Sequence, residues 1–363
     1  MAERLKDQFF QRPFFEALTR RLKEACPGFD SRRFFRLLYD EEWENRELKA
    51  RMRHASEALG QTLPSDYRKA LGILLKVEKH FDGFDHLLFA DFVERFGVDD
   101  YEASIPALET FTRSTAEFAI RPFIRKYPKK TMAQMRRWAK HRDEKVRRLA
   151  SEGSRPRLPW GTALDEFEQD PAPILPILEA LKDDPSETVT RSVANNLNDI
   201  ARDHPDVALQ VARRWLKESS SRKPLLKHAL RGLLKKGDPQ ALALFDVETG
   251  ARVRVTRLAV TPRRLPLGGH CTLVAAIVSE ETSPRTVRLE YVITYARPGG
   301  RTGQKVFQLR EADLRPGEKL ELTRKLSFAD RSIRKHYPGR HTLTLVVNGE
   351  RGKEVHFSLA RGS

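Results

Sequence analysis

The chain has 363 residues, a formal net charge of +17 at pH 7 and 32% charged residues, which is length enough for two domains with sizeable cores. An excess of positive charge on this scale favours polyanions as partners, nucleic acid before anionic membrane, and only two cysteines, Cys26 and Cys271, exclude a disulfide framework. No uncharged apolar stretch approaches a bilayer span and the opening residues lack the apolar run of a signal peptide, so a soluble cytosolic protein with no membrane partner is expected.

From Leu5 to about Phe245 apolar residues recur at helical spacing. Examples are Phe14, Phe15, Leu18 and Leu22; Phe34, Phe35, Leu37 and Leu38; and Leu71, Leu74, Leu75 and Val77. Pro and Asp/Ser punctuation separates the runs, as in Leu63-Pro64-Ser65-Asp66 and Tyr127-Pro128. Helix pairs recur around the anchors Trp138, Leu178 and Trp215, a period of roughly 40 residues that predicts a HEAT-like array. The segments DEKVRRLASEG (143–153) and SETVTRSVANN (186–196) hold equivalent places one unit apart. Stacked repeats leave a concave face for an extended ligand.

Near Gly250 the pattern changes to short alternating runs at 252–255, 272–278, 288–295 and 341–347. Turn signals separate them at Leu267-Gly268-Gly269, Arg297-Pro298-Gly299-Gly300 and Asn348-Gly349. About 110 residues of this rhythm fit a β-sandwich, and without the Cys…Trp…Cys pattern it is immunoglobulin-like in architecture only. The expected fold is multidomain: an all-α HEAT-like repeat solenoid over 1–248, then an all-β Ig-like sandwich over 249–363.

The positive charge is concentrated in two blocks. Residues 113–160 hold 15 Lys and Arg against 4 Asp and Glu, and residues 250–363 hold 22 against 10. Two such blocks suggest one polyanion touched twice.

Several chemistries drop out. The run Pro298 to Gly303 reads as a hairpin turn, not a phosphate loop. Ten histidines lack ligand spacing and no cysteine pair exists, so neither a metal nor any other cofactor is expected. There is no G-x-S-x-G elbow. A hydrolase would have to work with carboxylates.

The strongest local feature is VRRLASEGSRPRLPWG (146–161). Glu152 ends a basic helix and is followed by a turn holding Arg155, Arg157 and Trp160. Arginines of this kind grip phosphates bidentately, whereas a carboxylate among them repels phosphate and suggests a cation to be met. The plainer alternative is a surface pair of Glu152 with Arg148 or Arg155. Trp160 likewise reads either as core between repeats or as a surface that packs on a base or sugar.

The stretch 146–160, followed by SVANNLNDI (192–200), resembles the AlkC family of DNA alkylation-repair glycosylases, HEAT-repeat relatives of AlkD. The similarity runs through most of the first 245 residues, and the β-rich tail resembles the Ig-like extension of some members. The resemblance implies Glu152 as catalytic carboxylate, Glu117 as a second acid, Trp160 as the pocket aromatic and Asp199 as a further acid. Glu117 has the alternative of pairing with Arg121 one helical turn on, and Asp199 of pairing with Arg202 or capping the turn at His204-Pro205.

The activity implied is hydrolysis of the N-glycosidic bond of cationic bases such as 3-methyladenine and 3-methylcytosine. The partner is double-stranded DNA containing alkylated bases, bent without flipping the target base, and the protein acts as a monomer. A base alkylated on a ring nitrogen leaves without protonation, so charge develops on the sugar and a nearby carboxylate can stabilise it. Two carboxylates would also select for charge, and the Trp160 ring for cations. No lysine stands out as a Schiff-base nucleophile, so an abasic site without strand cleavage is expected.

The DNA anchors expected are Lys129, Lys130, Arg147, Arg148, Arg155, Arg157, Arg191 and Asn195. In the sandwich Arg263, Arg264, Arg331, Arg334 and Lys335 form loop-like basic clusters, with a solvated strand face or turn as the alternative reading of each. Two other readings stay open: a non-catalytic helical-repeat protein that binds or bends DNA, and a protein-interaction scaffold.

Overall fold

A computed structural model describes residues 5–330 and 334–361; Arg331 lies outside the described residues. The chain divides into two compact units, Met1–Asp203 and His204–Ser363.

The first unit is helical, from Leu5–Gln8 to Glu187–Asp203. Its helix starts follow from local chemistry. Asp30, Asp66, Asp100 and Asp143 each accept a hydrogen bond from an amide of the first turn, which satisfies a donor the helix cannot. Prolines open Pro128–Trp138 and Leu175–Leu181, where a missing N–H costs nothing. Amphipathic faces then bury Phe15, Phe34, Leu74, Phe89, Phe111 and Trp138. Fully burying side chains of this size contributes about 1.5–3 kcal/mol each.

Helical pairs recur as expected. Pro128–Trp138 packs on Glu144–Gly153, and Leu175–Leu181 packs on Glu187–Asp203. The second helices of these pairs, Glu144–Gly153 and Glu187–Asp203, lie side by side. Gly153 permits a close approach at that level: a Cβ there would stand 2.7 Å from Ile120 Cγ2.

The second unit begins with the helices Pro205–Glu218, Lys223–Ala229, Arg231–Lys236 and Pro239–Ala243, with Trp215 buried. Eight strands follow: β1 (Val253–Thr261), β2 (Arg264–Pro266), β3 (His270–Ser279), β4 (Arg285–Ala296), β5 (Thr302–Leu314), β6 (Lys319–Ser327), β7 (Gly339–Val347) and β8 (Glu350–Ala360). They form a sheet β1-β3-β6 and a sheet β2-β8-β7-β4-β5, all antiparallel except the β2–β8 pair.

Leu273 and Leu326 of one sheet and Tyr291, Leu343 and Phe357 of the other share one core, as a sandwich requires. Asn348 and Gly349, with φ of 46° and 84°, make the tight turn between β7 and β8. The run Pro298–Gly300 joins β4 to β5 and is therefore a hairpin turn.

Four of the strands lie outside the runs named from the sequence. Of these β5 and β6 are edge strands with exposed charged residues, which protects an open edge from pairing. No described helix is long and apolar enough to cross a membrane.

Candidate active site

Glu152 occupies the last turn of Glu144–Gly153, a helix fixed by its Asp143 cap and by buried Val146, Leu149 and Ala150. The residue is only 7% exposed. One carboxylate oxygen accepts from Arg155 Nη1 at 2.6 Å and the other from the Ser192 hydroxyl at 2.5 Å. Ser192, Asn196 and Asp199 share one face of Glu187–Asp203, since spacings of four and seven return to the same side of a helix. Asn196 donates to the Ser151 carbonyl at 2.8 Å. Asp199 accepts from Arg155 through two bonds, Nε–Oδ2 at 2.9 Å and Nη2–Oδ1 at 3.3 Å. Arg155 thus joins both acids.

Arg155 is aimed by Arg121. This guanidinium is fully buried and donates to the carbonyls of Gly153 at 3.2 Å, Arg155 at 2.8 Å, Pro156 at 3.1 Å and Thr162 at 2.5 Å. The loop after Glu152 is wrapped around it. Burial brings the Arg121 pKa down to about 10, so it stays charged at neutral pH.

Glu117 is buried and paired with Arg148. Burial pushes its carboxyl above the ordinary range, with Arg148 opposing the shift and Glu152 adding to it. Asp199 is raised for the same first reason, against the pull of Arg155. When ionised, Glu117, Glu152 and Asp199 face Arg148 and Arg155 through ion pairs, and with Lys49 on the same cleft the cations balance the three carboxylates.

These groups adjoin a cleft of about 240 Å³. Glu117, Arg148 and Glu152 line one wall, and Trp160, Phe84 and Lys49 line the others. Trp160 is half exposed and takes a left-handed φ of 69°, a conformation costing about 1–3 kcal/mol for such a residue. Its indole meets the Phe84 ring edge-on, with centroids 5.7 Å apart, and its carbonyl accepts from Lys49 Nζ at 2.5 Å.

The structure thus brings together Glu117, Arg148, Glu152, Arg155, Trp160 and Asp199 from the expected set. Glu117 pairs with Arg148, while Arg121 turns to the loop instead; the Asp199 carboxylate goes to Arg155. The remaining expected anchors lie elsewhere on the same unit. Lys129 is exposed. Lys130 pairs with Glu102 over the Tyr101 ring, and Arg147 forks onto Asp184 at 2.5 and 3.0 Å. Arg157 bridges Asp203 and Glu168, Arg191 pairs with Glu187, and Asn195 is half-buried.

Ser192, Arg121, Phe84 and Lys49 stand outside the expected site residues, Arg121 having entered only as an alternative partner of Glu117. Ser192 takes the place of Leu149 one repeat on, so the repeat register does not mark it, although its hydroxyl meets that of Ser151 at 3.0 Å. Lys49 and Phe84 carry no local signal because they come from distant helices.

The C-terminal region matches the family model described as "Uncharacterised protein YhaZ, C-terminal Ig-like domain" over residues 254–361. The chain is similar to YhaZ of Bacillus subtilis (strain 168), described as an uncharacterized protein. The two are 43% identical over 344 residues, covering 94% of this chain and 96% of the relative. Among solved structures it resembles the alkylpurine DNA glycosylase AlkC of Pseudomonas fluorescens, bound to DNA containing an abasic site analog. That match has a TM-score of 0.93 and 36% identity, and covers 99% of this chain and 100% of the other.

Proposed function

The chain belongs to the family of AlkC and YhaZ, and from that premise we propose that it is a DNA glycosylase releasing cationic alkylated bases, 3-methyladenine and 3-methylcytosine, from double-stranded DNA. The observation that carries this reading is the pair of carboxylates, Glu117 and Glu152, that line an open cleft, each held by its own arginine. A DNA-binding surface alone has no use for it. A leaving base that is already cationic needs no general acid. What it needs is stabilisation of the positive charge that moves onto the sugar.

Glu152 suits that task. Arg155 and Ser192 fix both its oxygens before the reaction, so little reorganisation is needed as the sugar charge develops. The same carboxylate can orient the attacking water. Glu117 adds negative field from the same wall and, with Glu152, favours a cationic over a neutral base. Trp160 offers an exposed ring face to the sugar or base. Asp199 acts through Arg155 and is a positioning residue in this scheme.

In the same reading the enzyme is monofunctional and acts without base flipping, as a monomer, in the cytosol at the nucleoid. Residues 1–248 carry the chemistry and residues 249–363 clamp the duplex. Incubation with methylated duplex DNA, with released bases identified by chromatography, tests the proposal. Glu152→Gln should lower base release by about 10²–10³-fold while DNA affinity holds or rises. If wild type binds damaged DNA and releases nothing, the protein is a binder and the proposal is wrong.

A further inference from the structure

A second cleft of about 630 Å³ shares Phe84, Leu87 and Thr115 with the first. Arg113, Ser114 and Lys145 complete its polar lining, together with the exposed carboxylate of Asp82. Behind it lies a buried pair that the proposed chemistry does not use. Glu78, 4% exposed, accepts from His86 Nε2 at 2.9 Å, and the same oxygen is 3.5 Å from Arg113 Nη1. His86 is fully buried against Phe89 and Phe111. Burial lowers its pKa, with Glu78 opposing, so the ring is a neutral donor to that carboxylate.

Glu78 therefore anchors an arginine whose side chain is still 52% exposed. Lys145 Nζ donates to the Arg113 carbonyl at 2.6 Å, which puts a second cation at the same mouth. With Glu78 buried behind Arg113 and Asp82 on the rim, the two cations and two hydroxyls that reach the mouth are the donor set for a single anionic group with several acceptor oxygens, which is the chemistry of a phosphate. Its distance from the first cleft is bounded. Arg113 and Glu117 are four residues apart on one segment, so at most about 14 Å of extended chain separates them. An anion held there belongs to a nucleotide next to, or one beyond, the nucleotide whose sugar faces Glu117 and Glu152.

We propose that this second cleft is a phosphate seat, in which Arg113 and Lys145, with the Ser114 and Thr115 hydroxyls, hold a backbone phosphate flanking the damaged nucleotide. The seat sets the register of the strand, so that the sugar and not the phosphate meets the carboxylates. This rests on reading the first cleft as the place where damaged DNA is met.

The test uses the full chain and a duplex containing an abasic-site analogue, with a neutral methylphosphonate at each flanking linkage in turn. Affinity is measured across a salt series for wild type, Lys145→Met, Arg113→Met and the double variant. Neutralising one flanking linkage should weaken wild type by about tenfold, and the double variant should show no loss at that linkage. The slope of log affinity against log salt should fall by about 1 for each cation removed. Equal losses in wild type and double variant, or unchanged salt slopes, would overturn the seat.

If Arg113→Met unfolds because Glu78 loses its partner, Lys145→Met, an exposed position, carries the same comparison alone. The duplex has no bond to cut, so the two proposals can fail separately. Wild type that shows this pattern yet releases no base keeps the seat and loses the glycosylase. Wild type that releases base with phosphate-independent binding does the reverse.

Discussion

Arg155 and Asp199 meet fork to fork, with bonds of 2.9 and 3.3 Å, while the remaining nitrogen of Arg155 is held by Glu152 at 2.6 Å. The guanidinium is therefore fixed in one plane, and the Glu152 carboxylate inherits that orientation. Asp199→Asn should remove the charge that fixes it. Breaking one partner of a largely buried pair costs about 3–5 kcal/mol, and the freed guanidinium would then neutralise Glu152. Chemical denaturation should show that loss, and single-turnover base release should fall by about tenfold or more. An unchanged rate would mean that Asp199 has no part in positioning.

Glu117 makes activity depend on pH in a defined direction. Its folded pKa lies above the ordinary range because burial disfavours the charged form. As pH falls through that raised value, the carboxylate takes up a proton, the Arg148 pair breaks and negative charge leaves the cleft. Base release should therefore decline on the acid side at a pH above that of a normal glutamate, and Glu117→Gln should lose that limb.

Stability through the same group runs the other way. The native state holds this proton more tightly than the unfolded chain does. The contribution is thus present below the unfolded pKa and lost as pH rises through the folded one. Rate profiles and denaturation at matched pH separate the two effects.

Arg121 supports four loop carbonyls from a buried position. Arg121→Met should leave those acceptors unsatisfied, lowering stability by about 3 kcal/mol or more. It should also free the segment that carries Arg155 and Trp160. Amide exchange across 154–163 should accelerate selectively, and base release should drop along with it. Protection unchanged in that segment would count against the clamp.

Trp160 lets strain and chemistry be separated. At a φ of 69° glycine is easier than alanine by about 1–2 kcal/mol. Trp160→Gly should thus be more stable than Trp160→Ala by that margin, although both lack the indole. Both should slow base release by about tenfold, the typical worth of one aromatic stacking contact. Equal stability of the two would mean that the backbone is not strained there.

Much of this was readable in the chain, for reasons that differ by element. The helices announce themselves through period and caps, and the Asn348-Gly349 turn through chemistry that only one hairpin geometry accepts. Glu152, Arg155 and Trp160 stand within nine residues, so their association is nearly local. The partners were harder. Glu117 chooses Arg148 over the nearer Arg121 because tertiary packing turns Arg121 inward, and no local rule foresees that. Lys49 and Phe84 reach the cleft from helices far back in the sequence.

The contact between Glu144–Gly153 and Glu187–Asp203 works like two meshed racks, with Ser151, Glu152 and, just past the helix end, Arg155 engaging Ser192, Asn196 and Asp199. Phase matters more there than composition. One residue inserted just ahead of Ser192 would turn that face by about 100° and disengage all three teeth at once. The same residue added in the connection around 170–173 would be taken up as slack. Lineages derived from this chain are therefore free to vary in length between repeats, but not within the second helix of a pair.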